Sequence, residues 1–209
     1  MEAFHGLGLQ PEALLAAVEG WADRRLGALT PQALSLALWN FARLGNGPPR
    51  LLRTATACVE ARLGEFEVAP LARVVWSLAK LGQRSEPLLA HAAAVLAQRG
   101  DEFGDKAASN VLWALASLGH RPGAAALDAI AARLQPRLRG YGAQSLSNIG
   151  WAYATFGHRP SPAFTQALGD AAKGACVGGR RRYLWGCLAG CWWPAAAWAQ
   201  LLVLQYFAV

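Results

Sequence analysis

Val111-Leu112-Trp113-Ala114-Leu115-Ala116-Ser117-Leu118-Gly119 decides the fold, because the chain writes this stretch four times. The earlier copies are Ala37-Leu38-Trp39-Asn40-Phe41-Ala42-Arg43-Leu44-Gly45 and Val74-Val75-Trp76-Ser77-Leu78-Ala79-Lys80-Leu81-Gly82. The last is Ile149-Gly150-Trp151-Ala152-Tyr153-Ala154-Thr155-Phe156-Gly157. The tryptophans stand 37, 37 and 38 residues apart, each followed by Ala three residues later and Gly six later. Self-similarity at a fixed period of tens of residues marks a repeat array. Other columns keep the register. Ten residues before each Trp stand Leu29, Phe66, Phe103 and Tyr141; fourteen before stand Arg25, Arg62, Arg99 and Arg137; nine after stand Pro48, Ser85, Pro122 and Pro160. One period before Trp39, Gly8 and Pro11 fall in the Gly and Pro columns, so the array is expected to open mid-repeat.

Within a period the pattern is two helices. From Pro11 to Leu26 apolar residues recur at Leu14, Leu15, Val18, Trp21, Ala22 and Leu26, the three-to-four spacing of an amphipathic helix. Thr30-Pro31 starts a second helix, with Thr suited to the N-cap and Pro to the first turn. That helix runs through Trp39 and stops at Gly45 ahead of Pro48-Pro49. The same pair recurs over 51–81, 87–118 and 123–156. No window alternates with a period of two over β-branched residues, so strands are not expected. A lone helix pair cannot bury both apolar faces, whereas stacked pairs can. The expected fold class is therefore all-α, an α-solenoid of tandem helix-turn-helix repeats. In it the Trp column is read as a wedge packed between repeats, with a base-stacking platform as the alternative.

The bulk numbers set the class. At 209 residues the chain suits one domain with a sizeable core, or about five short repeats. Hydrophobic content of 54% against 16% charged argues against disorder. Lys and Arg outnumber Asp and Glu 20 to 13, and a net charge of +7 draws a domain toward polyanions. The four cysteines, Cys58, Cys176, Cys187 and Cys191, lack the spacing of a disulfide framework and fit a reducing compartment better. No secretory signal or organellar presequence is visible at Met1.

The array reading covers residues 1–173. Ser161 to Lys173 reads as a further first helix, which Gly174 is expected to break. Residues 174–209 then form a divergent hydrophobic tail, with Arg180-Arg181-Arg182 ahead of an uncharged run of 27 residues. Three readings stand: a degenerate cap, a translated non-coding end, or a membrane anchor. Length, flanking arginines and the small-residue spacing of Gly186 and Gly190 favour the anchor; Pro194 and the alanine-rich middle oppose it, so a membrane is not expected as a partner.

Local signatures for chemistry are missing. No glycine loop leads into Gly-Lys-Ser/Thr, Cys187 and Cys191 lack two further ligands for zinc, and no nucleophile–base set is suggested. His120 and His158 sit in Gly-His-Arg-Pro turns and are read as turn residues, and Asp101, Glu102 and Asp105 as helix-start charges. Neither enzyme activity, cofactor nor metal is expected. What varies between repeats is a polar stripe on the second helix, seven, four and three residues before each Trp and four after. It comprises Gln32, Ser35 and Leu36; Ala69, Ala72 and Arg73; Lys106, Ser109 and Asn110; and Gln144, Ser147 and Asn148, followed by Arg43, Lys80, Ser117 and Thr155. Offsets of three and four share a helix face. Gln, Asn, Ser, Arg and Lys are side chains that hydrogen-bond base edges, and helical repeats that read one base each use such positions. The bland alternative is a solvated face. The Arg column (Arg25, Arg62, Arg99 and Arg137) divides likewise, between free carbonyls at a helix C-terminus and phosphate contacts.

These residues carry a resemblance. The Leu-Trp-Ala-Leu-Ala-x-Leu-Gly pattern over 111–119, its period, Phe103 and Ser109-Asn110 resemble the octotricopeptide repeat. They are also similar to the helical repeats of FAST-kinase-like proteins and of a subunit of the RNA-editing substrate-binding complex. The resemblance covers roughly residues 1 to 170. It implies sequence-specific binding of single-stranded RNA, on organellar transcripts in mitochondria or chloroplasts, supporting stability, processing, editing or translation. Other RNA-processing proteins are implied as further partners. Nothing matches the endonuclease-like RAP domain that some relatives carry. The reading from the residues keeps a protein-interaction scaffold as its alternative, since helical repeats serve both ends.

Overall fold

The computed structural model describes residues 20, 25–45 and 47–177. Among them the chain is all-α, with eight helices of at least three turns and no strand. In chain order these are α1 (Pro31–Leu44), α2 (Pro49–Glu60), α3 (Val68–Lys80), α4 (Glu86–Arg99), α5 (Asp105–Ser117), α6 (Ala124–Leu134), α7 (Ala143–Phe156) and α8 (Pro162–Val177). Helices α1, α3, α5 and α7 carry the four tryptophans and are the second helices of their repeats. The predicted first helix over 11–26 lies almost wholly outside the described residues, as do the readings made for residues 178–209. No described helix is long and apolar enough to cross a membrane.

Local signals set the boundaries. Thr30 Oγ1 accepts the Ala33 N–H at 3.2 Å and Pro31 takes the first helical position, so α1 begins where its sequence dictates. At the other end the Gly column is in the left-handed region: Gly45, Gly82, Gly119 and Gly157 have φ of 68°, 67°, 67° and 61°. After α3, α5 and α7 the next two N–H groups close a Schellman pair. The Gly119 N–H meets the Ala116 carbonyl at 3.1 Å and the His120 N–H meets the Leu115 carbonyl at 2.9 Å. The helix dihedrals end there because only Gly enters that region freely.

One feature has no counterpart in the expected pattern. A 3₁₀ turn joins first to second helix in each repeat, at Leu26–Ala28, Leu63–Glu65, Gly100–Glu102 and Gln135–Gly140. Each ends on the column ten residues before Trp, where Phe66, Phe103 and Tyr141 are buried and anchor the turn. A second difference is α8, which continues through Gly174 to Val177 rather than breaking there. A single Gly costs a helix only about 1 kcal/mol, less than neighbouring turns can hold.

The chain divides into two compact units, residues 1–88 and 89–209, with the division inside α4. In the first, α1 and α3 lie side by side over a core that includes Leu34, Leu38, Leu71, Val75 and Leu78. In the second, α5 and α7 make the same pairing over Phe103, Leu112, Leu115 and Ile149, and α8 packs on α7 through the buried Phe164. Tyr153 donates its hydroxyl to the Leu127 carbonyl at 2.8 Å, and burial pushes that phenol far above its ordinary pKa.

Gly82 offers a test of the helix stops. A Cβ built there meets nothing within 4 Å, so the cost of a side chain is conformational alone. Gly82→Ala is expected to destabilise by about 1–2 kcal/mol, with Gly82→Asn milder, in urea denaturation followed by circular dichroism.

Candidate functional site

The repeated face of the second helix is the candidate site, and its exposure redraws the stripe. At about 100° per residue, positions seven before, four after and three before Trp lie at roughly 20°, 40° and 60° from it. Those positions are open: Gln32, Ala69, Lys106 and Gln144 are exposed, as are Arg43, Lys80, Ser117 and Thr155. Arg73, Asn110 and Asn148 are half-buried beside them, and Leu36 is exposed.

The position four before Trp turns the other way. Ser35 and Ser109 are buried, their hydroxyls donating to the Gln32 and Lys106 carbonyls at 2.8 and 3.2 Å, and Ala72 is buried as well. As base contacts Ser35 and Ser109 are therefore withdrawn: a hydroxyl facing the neighbouring helix cannot reach a ligand outside. Ser147 is half-buried.

The tryptophans stand at the border of this face. All four are half-buried, and Trp39 and Trp76 stack with ring centroids 4.2 Å apart and planes tilted by 36°. This pair thus packs between repeats, as a wedge would, while keeping an indole surface beside the polar row. One rung away, Arg73 Nη1 donates to Ser35 Oγ at 2.8 Å. In the second unit Gln144 Nε2 donates to Asn148 Oδ1 at 3.0 Å, linking two row positions within α7.

The Arg column is mostly committed elsewhere. Arg62 Nη1 donates to the carbonyls of Gly27 and Leu29 at 3.2 and 2.7 Å, while Nε and Nη2 grip Glu65 at 3.0 and 2.7 Å. Arg137 Nη1 reaches the Asp101 and Phe103 carbonyls, the same two columns one repeat back. Arg99 holds Glu102 through a two-point contact at 2.7 and 2.6 Å. Arg62 and Arg137 thus staple their repeats to the turn of the one before, Arg99 is held within its own turn, and the expected row of phosphate contacts gives way to those roles. Arg25, at the entry to the first 3₁₀ turn, is exposed.

Other charged groups are tied down too. Arg133 bonds Asp101 and the Ala97 carbonyl, His158 Nε2 lies 2.8 Å from Asp128, and the Asp105 carboxylate faces the Gly142 N–H and the Ser145 hydroxyl of the next repeat. Among the described residues no three His, Cys, Asp or Glu side chains gather as metal ligands would. Sequence reasoning missed the Ser35–Arg73 contact and the exposed Leu44. Its nearest signal was that Ser35 and Arg73 sit one column apart in successive repeats. No known family model matches the chain, and no curated protein matches it significantly.

Two measurements probe this geometry. Trp76→Ala is expected to cost less than the roughly 3–5 kcal/mol of a fully buried aromatic. It should still cost more than the about 1 kcal/mol that a ring pair alone contributes, read from urea midpoints. Glu65 and Glu102 are held below the usual carboxylate range, chiefly by hydrogen bonds from Arg62 and Arg99. Their stabilisation is present above the ordinary Glu pKa and is lost as pH falls through the depressed folded value. In Glu65→Gln the acid limb of a melting-temperature profile should accordingly be shallower than in the parent.

Proposed function

We propose that this chain is a non-catalytic RNA-binding protein whose repeats stack into an α-solenoid and take single-stranded RNA along the second-helix faces. The observation that carries the reading is the open row beside the tryptophans, where Gln, Lys, Arg and Asn stand among Ala, Leu, Ser and Thr and change between repeats, while the Trp, Gly and Arg columns stay constant. Such a division suits a scaffold that presents different base-edge partners in series. Arg73, Asn110 and Asn148 are the half-buried members, and Gln32, Lys106 and Gln144 the exposed ones. Arg43 and Lys106, both exposed, take over the phosphate contacts from the Arg column, consistent with the net charge of +7. The resemblance to octotricopeptide repeats supports organellar transcripts as the RNA and mitochondria or chloroplasts as the place, with stability, processing, editing or translation as the outcome.

A protein-interaction scaffold is the second reading, favoured by one feature of α1. Leu36 and Leu44 are 50% and 78% exposed, and a shallow hollow lies among Asn40, Arg43 and Leu44. Exposed apolar side chains of that size suit a partner helix.

Titration against a pool of short single-stranded RNAs at two salt concentrations separates the readings. Micromolar binding at low salt that weakens steeply with added salt is expected. Asn110→Ala should shift preference at one nucleotide and leave the salt slope nearly intact. A folded chain that binds no RNA at low salt would sink the RNA reading and promote the scaffold.

A further inference from the structure

Arg73 stands apart from Arg62, Arg99, Arg133 and Arg137. Arg62, Arg99 and Arg133 all grip carboxylates, and Arg137 is spent on two carbonyls. Arg73 is half-buried, lies in the open row, and donates only to the neutral hydroxyl of Ser35, with no acid paired to it among the described residues. Ser35 is itself buried and gives its own proton to the Gln32 carbonyl, so an oxygen lone pair is left to receive the guanidinium. The contact orients the fork without neutralising it. Resting on the RNA reading above, we infer that Arg73, positioned by Ser35, selects guanine at its repeat.

The chemistry favours that base. The Arg73 donors left over form a planar fork with no acceptor, which matches an edge carrying two adjacent acceptors and mismatches any edge that carries a donor. Guanine offers such an edge in O6 and N7, the pairing that arginine makes most often with bases. A phosphate offers two oxygens as well. The surroundings speak against phosphate: Leu36 holds the same column in the preceding repeat and is 50% exposed, and the stacked indoles of Trp39 and Trp76 border the row. Flat apolar surface receives the face of a base, whereas a phosphate would lose hydration there without return.

The test uses the full chain and three labelled RNAs: all-uridine, uridine with one central guanosine, and the same with 7-deazaguanosine. The parent should bind the guanosine oligomer about tenfold tighter than all-uridine, and the 7-deaza analogue, lacking the N7 acceptor, should lose most of that gain. Arg73→Gln should bring the ratio of guanosine to all-uridine affinity to about one. Arg73→Lys should lower the ratio while keeping part of it, because an ammonium still reaches O6 or N7 but loses the planar fork, and Ser35→Ala should lower the ratio with the charge kept. Circular dichroism of each variant confirms folding, and a ratio is insensitive to partial loss of active protein. Equal binding of all three RNAs by the parent overturns the inference while leaving RNA binding standing. So does an Arg73→Gln chain that weakens both oligomers in proportion with a flatter salt slope, the signature of a phosphate contact. No binding of any oligomer at low salt overturns the RNA reading and this inference together.

Discussion

Within each unit the two second helices lie side by side, α1 against α3 and α5 against α7, and the other features of each unit follow from that apposition. In the first unit Trp39 meets Trp76, Ser35 meets Arg73, and Arg62 meets the turn at Gly27 and Leu29. Each contact joins columns equal or nearly equal in their distance from Trp. A helix of 12 to 14 residues is marginal alone. Its stability therefore comes from the apolar face it shares with a neighbour. Slipping one helix by a residue would rotate its face by about 100°, parting the indoles and pulling the arginine off its carbonyls together. Register is thus fixed by several contacts that fail as a group.

The arginine staple shows how a polar group supports this packing. The 3₁₀ turn before each second helix ends with carbonyls that no helical N–H claims. A guanidinium supplies several donors in a fixed plane, and one nitrogen of Arg137 serves both Asp101 and Phe103. Satisfying carbonyls beside buried aromatic side chains removes a desolvation cost that the turn would otherwise carry. The staple also changes how the positive charge should be read. A net charge of +7 suggests a cationic surface, but Arg62, Arg99, Arg133 and Arg137 are engaged by their own chain.

What the sequence made legible was whatever depends on local chemistry. Thr30-Pro31 and Gly45 bound α1 because capping acts within one turn, and the same logic places the stops at Gly82, Gly119 and Gly157. The all-α class followed from periodicity. The 3₁₀ turns were not legible, because they are a few residues long and are held by the burial of Phe66, Phe103 and Tyr141 rather than by any turn signal. Nor was the phase of the stripe. Spacing says which residues share a face, and it does not say where the neighbouring helix lies. That is why Ser35 and Ser109, which the spacing puts in the open stripe, are buried.

The same phase explains why one face can vary at small cost. The constant columns include Trp, Gly and Arg, and each is fixed by something specific: an indole stack, a left-handed φ, a pair of carbonyls. Columns seven and three before Trp and four after face outward, so their identities enter few of the contacts that hold a unit together. Gln32, Ala69, Lys106 and Gln144 are chemically unlike one another, yet all stand exposed at the start of their helices. Arg73 marks where the two regimes touch. Its guanidinium reaches inward to Ser35, so its orientation is set by packing, while its charge is left for the outside. A position oriented by the scaffold but not neutralised by it is where an assembly of constant parts can acquire a particular ligand preference.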